Sequence, residues 1–314
     1  MTRILAGDIG GTKTLLRCTD DGAVVREERF EGADYATFDD LLAGFLTRVP
    51  GAVDAACFAV AGPVHDGQVE ITNLGWQLEE SALSRRFAIP RVSLINDFFG
   101  VAVGVPLLRD RDLVCLQRGR RERSAPIGIL GAGTGLGEAT LAPVAGGGYL
   151  ILPSEGSHAD FPPVSEEQCR LLLHLMQKYG GHVSLERLVS GMGLTNIHEF
   201  LGGAEETDPA RIAELADAGD PRARRTVELF IDIYGAEAGN LALRVLARGG
   251  IYIAGGIAAK NVAWMTDGRF MQAFLAKGRF RELLETVPVD VIVNAAVGLM
   301  GAEEWGRRSL AAVR

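Results

Sequence analysis

Residues 8–17 read DIGGTKTLLR and residues 131–141 read GAGTGLGEATL. Each stretch follows a short apolar run, at 3–6 and at 126–130. Each bends through glycine and threonine and returns as a second apolar run, at 15–19 and at 138–142. A strand, a Gly/Thr turn and a returning strand form a hairpin that bares backbone N–H groups with no side chain in the way. Such a turn can hold phosphate oxygens. The two stretches are not alike enough to prove a duplication, but they give the chain two halves that start alike.

Working outward, residues 20–22 (DDG) signal a hairpin into a strand at 23–30. Phe38, Leu41, Leu42, Phe45, Leu46 and Val49 recur at three- and four-residue steps, which predicts a helix over 34–49. Residues 54–61 read as a buried strand, 68–72 as a short strand and 81–87 as a short helix. Residues 91–95 read as a strand running into Asn96 and Asp97, then into an apolar helix to Val105, stopped by Pro106. The second half has strands at 126–130, 138–142 and 149–152, then helices at 165–179, 185–190, 209–218 and near 221–246. A strand at 250–254 ends at Gly255 and Gly256, a last strand covers 289–293, and a terminal helix covers 295–310. Strands alternating with helices imply an α/β fold. The charged stretch 109–125 reads as loop and places the domain boundary there.

Glycine supplies 40 of the 314 residues, well above the roughly 7% of average usage. No G-X-Y period accompanies it, and a chain that is 47% apolar and 23% charged is not disordered. Lys and Arg number 32 against 40 Asp and Glu, a net charge of −8, which argues against nucleic acid as partner. The basic run at 118–123 is short, contains Gly119 and Glu122, and reads as a solvated loop. The opening MTRILAGDIGG has no long apolar core and no small-residue cleavage site, so no signal peptide is expected. The longest apolar run, near 98–108, holds glycines and a proline and is too short to span a bilayer. Cys18, Cys57, Cys115 and Cys169 are scattered without a CxxC pair, which points to neither a disulfide framework nor a zinc site. A soluble, cytoplasmic protein is expected, with no membrane partner.

Other glycine motifs fail on spacing. No Gly-Lys dipeptide occurs, so there is no Walker loop. A dinucleotide fingerprint from Gly131 would need glycine where Leu136 stands. Residues 97–100 read DFFG rather than DFG and no HRD occurs, which excludes a protein-kinase core.

The side chains that could carry chemistry cluster at strand ends. Asp8, inside the first glycine turn, could hold Mg²⁺ beside bound phosphates, through water, or simply hydrogen-bond its own turn. Asn96 and Asp97 stand where a strand hands over to a helix. An Asp there can take a proton from an alcohol while the Asn bonds a second hydroxyl; equally, Asp97 suits the cap of a helix from Phe98. Glu155 and His158, around a glycine in EGSH at 155–158, suit hydroxyl recognition. Ser184 reads as a helix cap, placing Glu186 in a first turn where the helix dipole favours a carboxylate. His65, His174, His182 and His198 read as surface or packing residues.

The set in order is more specific than any member: GDIGGTKT at 7–14, AGP at 61–63, TNLGW at 72–76, LINDF at 94–98, GAGTGLG at 131–137, EGSH at 155–158, SLERLVSG at 184–191 and IAGGI at 253–257. Over nearly its whole length the chain resembles bacterial glucokinase, in the sugar-kinase branch of the actin/hexokinase/Hsp70-like ATPase superfamily. The resemblance implies two related α/β domains of the actin-like, ribonuclease H-like type, with an interdomain cleft. The smaller domain would take 1–109 and be completed by the C-terminal helix, 295–314; the larger would take 110–294.

The resemblance also implies roles. Gly10, Gly11 and Thr12 match the first phosphate loop of the ATP site, with Asp8 beside Mg²⁺. Gly133, Thr134 and Gly135 match the second, and Gly255 and Gly256 the turn that contacts adenosine. Asn96, Asp97, Glu155, His158 and Glu186 match the residues that bind glucose, with Asp97 the catalytic base. The implied reaction is ATP-dependent phosphorylation of glucose at its 6-hydroxyl, in an enzyme that closes over its sugar and forms a homodimer. EGSH is close to the ExGH pattern of the related ROK (repressor, open reading frame, kinase) group, with Ser157 in its glycine place. That group's zinc-binding cysteine cluster is missing, so no structural zinc is expected.

Three other readings share the fold. A sugar-sensing repressor would need a helix-turn-helix ahead of the first strand, which already starts by Arg3. An actin-like or chaperone-like ATPase would not need the hydroxyl-binding set. A kinase of another hexose, such as mannose, of a broader hexose range or of a small acid would use the same residues.

Overall fold

The first quoted stretch folds into β1 (Arg3–Ile9) and β2 (Lys13–Asp20), joined by a turn of only Gly10, Gly11 and Thr12. The computed structural model describes residues 2–311. It divides into two compact units, one holding the chain up to Leu108 and from Ala296 onward, the other Arg109–Ala295.

In the first unit, β2 turns into β3 (Ala23–Glu31). Helix α1 (Phe38–Leu46) begins later than the apolar spacing suggests, because Thr37 caps it: the Thr37 hydroxyl accepts from the N–H of Asp40 at 3.2 Å. Residues 32–34 form a separate 3₁₀ turn. Phe38, Leu41, Leu42 and Phe45 of α1 are buried, each such side chain stabilising by about 1.5–3 kcal/mol. Strand β4 (Ala55–Val60) is buried at every position, as a central parallel strand must be. Strands β5 (Gln68–Ile71) and β6 (Trp76–Glu79) form a small antiparallel sheet of their own. Sequence periodicity missed β6, whose four residues are too few to show one. Helix α2 (Glu80–Phe87), β7 (Val92–Asn96) and α3 (Asp97–Gly104) complete this part.

The five-stranded sheet runs β3-β2-β1-β4-β7, with β1, β4 and β7 mutually parallel and the first hairpins antiparallel. The C-terminal helix (Val297–Ala311) packs on α3, β1 and β4. It crosses α3 at glycines: a Cβ on Gly301 would lie 1.8 Å from the carbonyl oxygen of Gly100. Only hydrogen-sized side chains allow backbones to approach this closely.

The second unit opens with β8 (Leu113–Gln117), where the charged stretch 109–125 had read as loop. It pairs with a strand far along the chain, so nothing local announces it. Strands β9 (Ile127–Ala132), β10 (Leu136–Pro143) and β11 (Tyr149–Ser154) follow as consecutive hairpins. The helical part comprises α4 (Glu166–Tyr179), α5 (Gly191–Phe200), α6 (Pro209–Asp217) and α7 (Pro221–Val245). Asp208 and Asp220 cap α6 and α7, each followed by proline at the first helical position. Strand β12 (Gly250–Ala254) runs into α8 (Gly256–Lys260). Short helices at Val262–Thr266, Arg269–Leu275 and Arg281–Glu285 precede β13 (Val289–Ile292).

The six-stranded sheet runs β11-β10-β9-β12-β13-β8, with β9, β12 and β13 parallel. Without β8 this order repeats that of the first unit: two antiparallel hairpin strands, a central strand and two parallel neighbours. Both glycine turns thus occupy the same place, at the carboxyl end of the central strand. Arg121, from the basic run, is anchored rather than solvated. It pairs with Asp290 at 2.6 Å and donates to the carbonyl of Gly249 at 2.8 Å.

Candidate active site

In open α/β sheets the loops at the carboxyl ends of parallel strands face ligands. The first unit places there Asp8 from β1, Gly62 after β4 and Asn96 at the end of β7. The Asn96 side chain joins two of these ends. Its amide donates to the carbonyl of Gly62 at 3.2 Å, and its oxygen accepts from the N–H groups of Phe98 and Phe99 at 3.0 and 3.2 Å. Asn96 is therefore the cap of α3, and the reading of Asp97 as cap is corrected. Asp97 is the first helical residue, its Oδ1 accepting from the N–H of Phe98 at 2.8 Å.

Burial raises Asp97 above the ordinary carboxylate range, against hydrogen bonds from its own helix start and from Asn96. Asp8 is pushed up to about 6, by burial first and then by the charge of Asp97, with Arg29 opposing. The two carboxylates thus share one region of negative potential. The turn beside them is held by a bond from Gly10 N–H to the Lys13 carbonyl at 2.9 Å. Thr12 is exposed at its tip. Lys13 faces Glu31 across the β2–β3 pair, at 3.6 Å. Asn73, from TNLGW, lies against the turn: a Cβ on Gly11 would come within 2.6 Å of its amide nitrogen. Sequence reading gave Asn73 no role, although its motif was one of those quoted.

The second unit gathers the other candidates. The turn of Gly133, Thr134 and Gly135 closes through a bond from Gly133 N–H to the Gly135 carbonyl at 2.8 Å. Gly191, at the start of α5, donates to the Gly133 carbonyl at 2.8 Å. Glu186 is not in the first turn of an α-helix, and the hydroxyl of Ser184 caps nothing; Leu185–Arg187 is a single 3₁₀ turn. That turn presents the Glu186 carboxylate to the glycine loop, where it accepts from the N–H of Leu136 at 3.0 Å.

Glu155 and His158 bracket a second 3₁₀ turn, their side chains 3.6 Å apart and exposed. The two 3₁₀ turns touch, tied by a bond from Leu185 N–H to the Ala159 carbonyl at 3.0 Å. Beneath EGSH lies Glu138, which the sequence did not single out. It is buried, held by Arg244 at 3.2 Å, and fills the space where a Cβ on Gly156 would stand. On the neighbouring strand, Gly255 has φ +88° and passes so near Ala132 that a Cβ would lie 2.2 Å from its carbonyl oxygen. Gly256 is exposed and opens α8.

The candidate set is therefore shared between the units. Asp8, Gly10, Gly11, Thr12, Asn96 and Asp97 belong to the first; Gly133, Thr134, Gly135, Glu155, His158, Glu186, Gly255 and Gly256 belong to the second. Among the described residues no three His, Cys, Asp or Glu side chains gather as a metal cage, and no helix is long and apolar enough to cross a membrane.

The family model for glucokinase matches residues 5–309. A glucokinase of Trichormus variabilis is 43% identical, over 96% of this chain and 98% of that one. The chain belongs to the glucokinase family. Among solved structures, a glucokinase from an Antarctic psychrotroph superposes with a TM-score of 0.89 at 31% identity, covering 98% of this chain and 99% of that one. A ROK-family glucokinase from Streptomyces griseus, in complex with glucose and AMPPNP, shares the fold at a TM-score of 0.64 and 19% identity, covering 98% and 99%. The α/β architecture of this glucokinase-family enzyme is thus that of the actin-like ATPase fold.

Proposed function

We infer that the residues of the two units carry out one phosphoryl transfer. The enzyme is a glucokinase: it moves the γ-phosphoryl group of ATP to the 6-hydroxyl of D-glucose, giving glucose 6-phosphate and ADP. In this reading Asp97 accepts the proton of the 6-hydroxyl as that oxygen attacks the γ-phosphorus and the bond to the β-phosphate oxygen breaks. Asn96, Glu155, His158 and Glu186 bond the remaining hydroxyls and fix the ring. The backbone N–H groups of Gly10, Gly11 and Thr12 and of Gly133, Thr134 and Gly135 receive phosphate oxygens, and Gly255 and Gly256 lie along the adenosine. Phosphoryl transfer asks chiefly for positioning and charge neutralisation, which is what such a set supplies.

One observation supports the role of Asp97 above the others. Asn96 does the capping, so the carboxylate of Asp97 stands at a parallel strand end with its affinity for protons raised by burial, as a general base near neutrality requires. Mg²⁺ fits the residues present. A half-buried carboxylate, Asp8, beside a second one would hold such an ion through its waters and supply a negative field beside the phosphates. When bound, the ion supplies neutralisation of phosphate charge.

The resemblance also implies a cytoplasmic homodimer, and light scattering of the purified protein tests the dimer. The function is tested by ADP release over a panel of glucose, mannose, fructose and galactose. Glucose-dependent release is expected; release without sugar, or none with glucose, overturns it.

A further inference from the structure

Helix α7 sends one fully buried tyrosine, Tyr234, to the two strand ends that carry the second unit's glycine turns. Its hydroxyl accepts from the N–H of Ala132 at 3.1 Å and lies 3.4 Å from the carbonyl oxygens of Leu130 and of Ala254. A phenol has one hydrogen and two lone pairs, so it can take the Ala132 N–H and give its hydrogen to either carbonyl. These atoms sit where the parallel pairing of β9 and β12 ends, the last facing pair being Gly131 and Ala254. The next residue on β9 leads into the turn of Gly133, Thr134 and Gly135. The next on β12 is Gly255, bent past Ala132 at φ +88°. The hydroxyl therefore bridges the two strands at the point where each leaves the sheet to form its loop.

The ring cannot drift. Phe230 and Phe270 pack edge-on against it, with centroids 5.8 and 5.6 Å away. The phenol is fully buried, and burial raises its pKa, so it stays a neutral donor and acceptor. A phenylalanine would fill the same volume but leave the buried Ala132 N–H without its partner, so the hydroxyl fixes the two loop stems as well as filling the core.

We propose that Tyr234 is a positioning residue for the nucleotide: through its hydroxyl it sets the spacing between the phosphate-binding turn after β9 and the adenosine-contacting turn after β12. The inference rests on the nucleotide reading of those turns. Ala132 and Ala254 flank loops that must be placed within tenths of an ångström for backbone N–H groups to meet phosphate oxygens.

The test is steady-state kinetics of Tyr234→Phe beside a Gly133→Val control. Loss of a hydrogen-bonded oxygen that holds the loops should raise KM for ATP about tenfold, a typical single-bond effect, with KM for glucose changed less than about twofold. Equal rises in both constants, or an unchanged KM for ATP, overturn the inference. If Gly133→Val raises KM for ATP and Tyr234→Phe does not, the inference alone fails. If neither does, the nucleotide reading of the β9 turn fails with it. A rise in Tyr234→Phe alone also overturns the inference, because the turn after β9 would then not be one that holds phosphate. Amide exchange of the wild type gives a measurement that needs no variant. The Ala132 N–H should exchange slowly, and fast exchange there overturns the bridge.

Discussion

Asn96 and Asp97 divide two tasks at the start of α3: the Asn96 oxygen takes the N–H groups of Phe98 and Phe99, and Asp97 stands on the helix's first residue with its carboxyl raised by burial. The division predicts that Asp97→Asn leaves the helix start intact. Its kcat should fall by about 10²–10⁴, as for loss of a general base, with both KM values changed only severalfold. A coupled assay of ADP release reads this, and near-normal turnover would remove Asp97 from the role of base.

Asn96 separates structure from binding by a pair of substitutions. Asn96→Ala removes the cap and the bond to Gly62, and should cost about 0.5–2 kcal/mol in a denaturant melt while raising KM for glucose. Asn96→Ser restores a capping oxygen, so stability should recover while KM for glucose stays high. Recovery of both together would make Asn96 a structural residue only.

The parts of this enzyme legible in its sequence are those set by neighbours in the chain. Both opening hairpins could be read, because alternation and a glycine turn are local signals. The run from β7 into α3 was legible for the same reason. Strand β8 was not, since its partner β13 lies far along the chain and its flanks are charged. Helix α5 was missed because Gly191, Gly193 and Thr195 are poor helix formers; a cap from Ser190 to Gly193 N–H and a buried face hold it instead. For the candidate site, motifs named candidate residues but not their contacts. Glu186 reaches Leu136 across 50 positions, and Tyr234 reaches Ala132 across 102. No periodicity encodes such meetings, which packing alone creates.

The two turns proposed to meet the nucleotide in the second unit predict opposite costs for an added side chain. A Cβ on Gly133 meets nothing within 4 Å, whereas one on Gly255 would stand 2.2 Å from a backbone oxygen at φ +88°. Gly133→Val should therefore melt within about 0.5 kcal/mol of wild type, as an unobstructed surface substitution does, yet raise KM for ATP more than for glucose. Gly255→Ala should lose about 1–3 kcal/mol of stability in addition to affinity for ATP. Thermal melts with and without nucleotide read both. Equal stability of the two variants would contradict the backbone geometry at Gly255.

Acid sensitivity should have one identifiable source in α5. His198 is buried, with Nδ1 3.1 Å from the hydroxyl of Thr226, and burial and then the charge of Arg222 lower its pKa below 6.5, against Asp220. A lowered folded-state value means the unfolded chain binds the proton first. The stability this residue contributes is present above about pH 6.5 and is lost as pH falls through the folded value, by at most about 1.4 kcal/mol per pH unit. Denaturant melts between pH 7.5 and 5.5 should show a shallower decline in His198→Asn than in wild type. Coincident slopes would mean that His198 is protonated without strain.

Gly135 and Glu186 give the sharpest test of whether the proposed sugar-binding residues and the second glycine turn act together. A Cβ on Gly135 would lie 2.5 Å from Oε2 of Glu186, the oxygen that accepts from Leu136 N–H. The carboxylate is the far end of a flexible side chain, so Gly135→Ala should fold and swing Glu186 aside rather than break the turn. The bond to Leu136 is then lost, at about 1–2 kcal/mol, and KM for glucose should rise about tenfold although the substitution sits in a loop proposed to bind phosphate. Glu186→Ala removes the displaced group. In a double-variant cycle the two changes should therefore be far from additive, the second adding little to KM for glucose once the first is made. Additive effects would show that Gly135 acts on the nucleotide alone and that Glu186 binds the sugar independently of the turn.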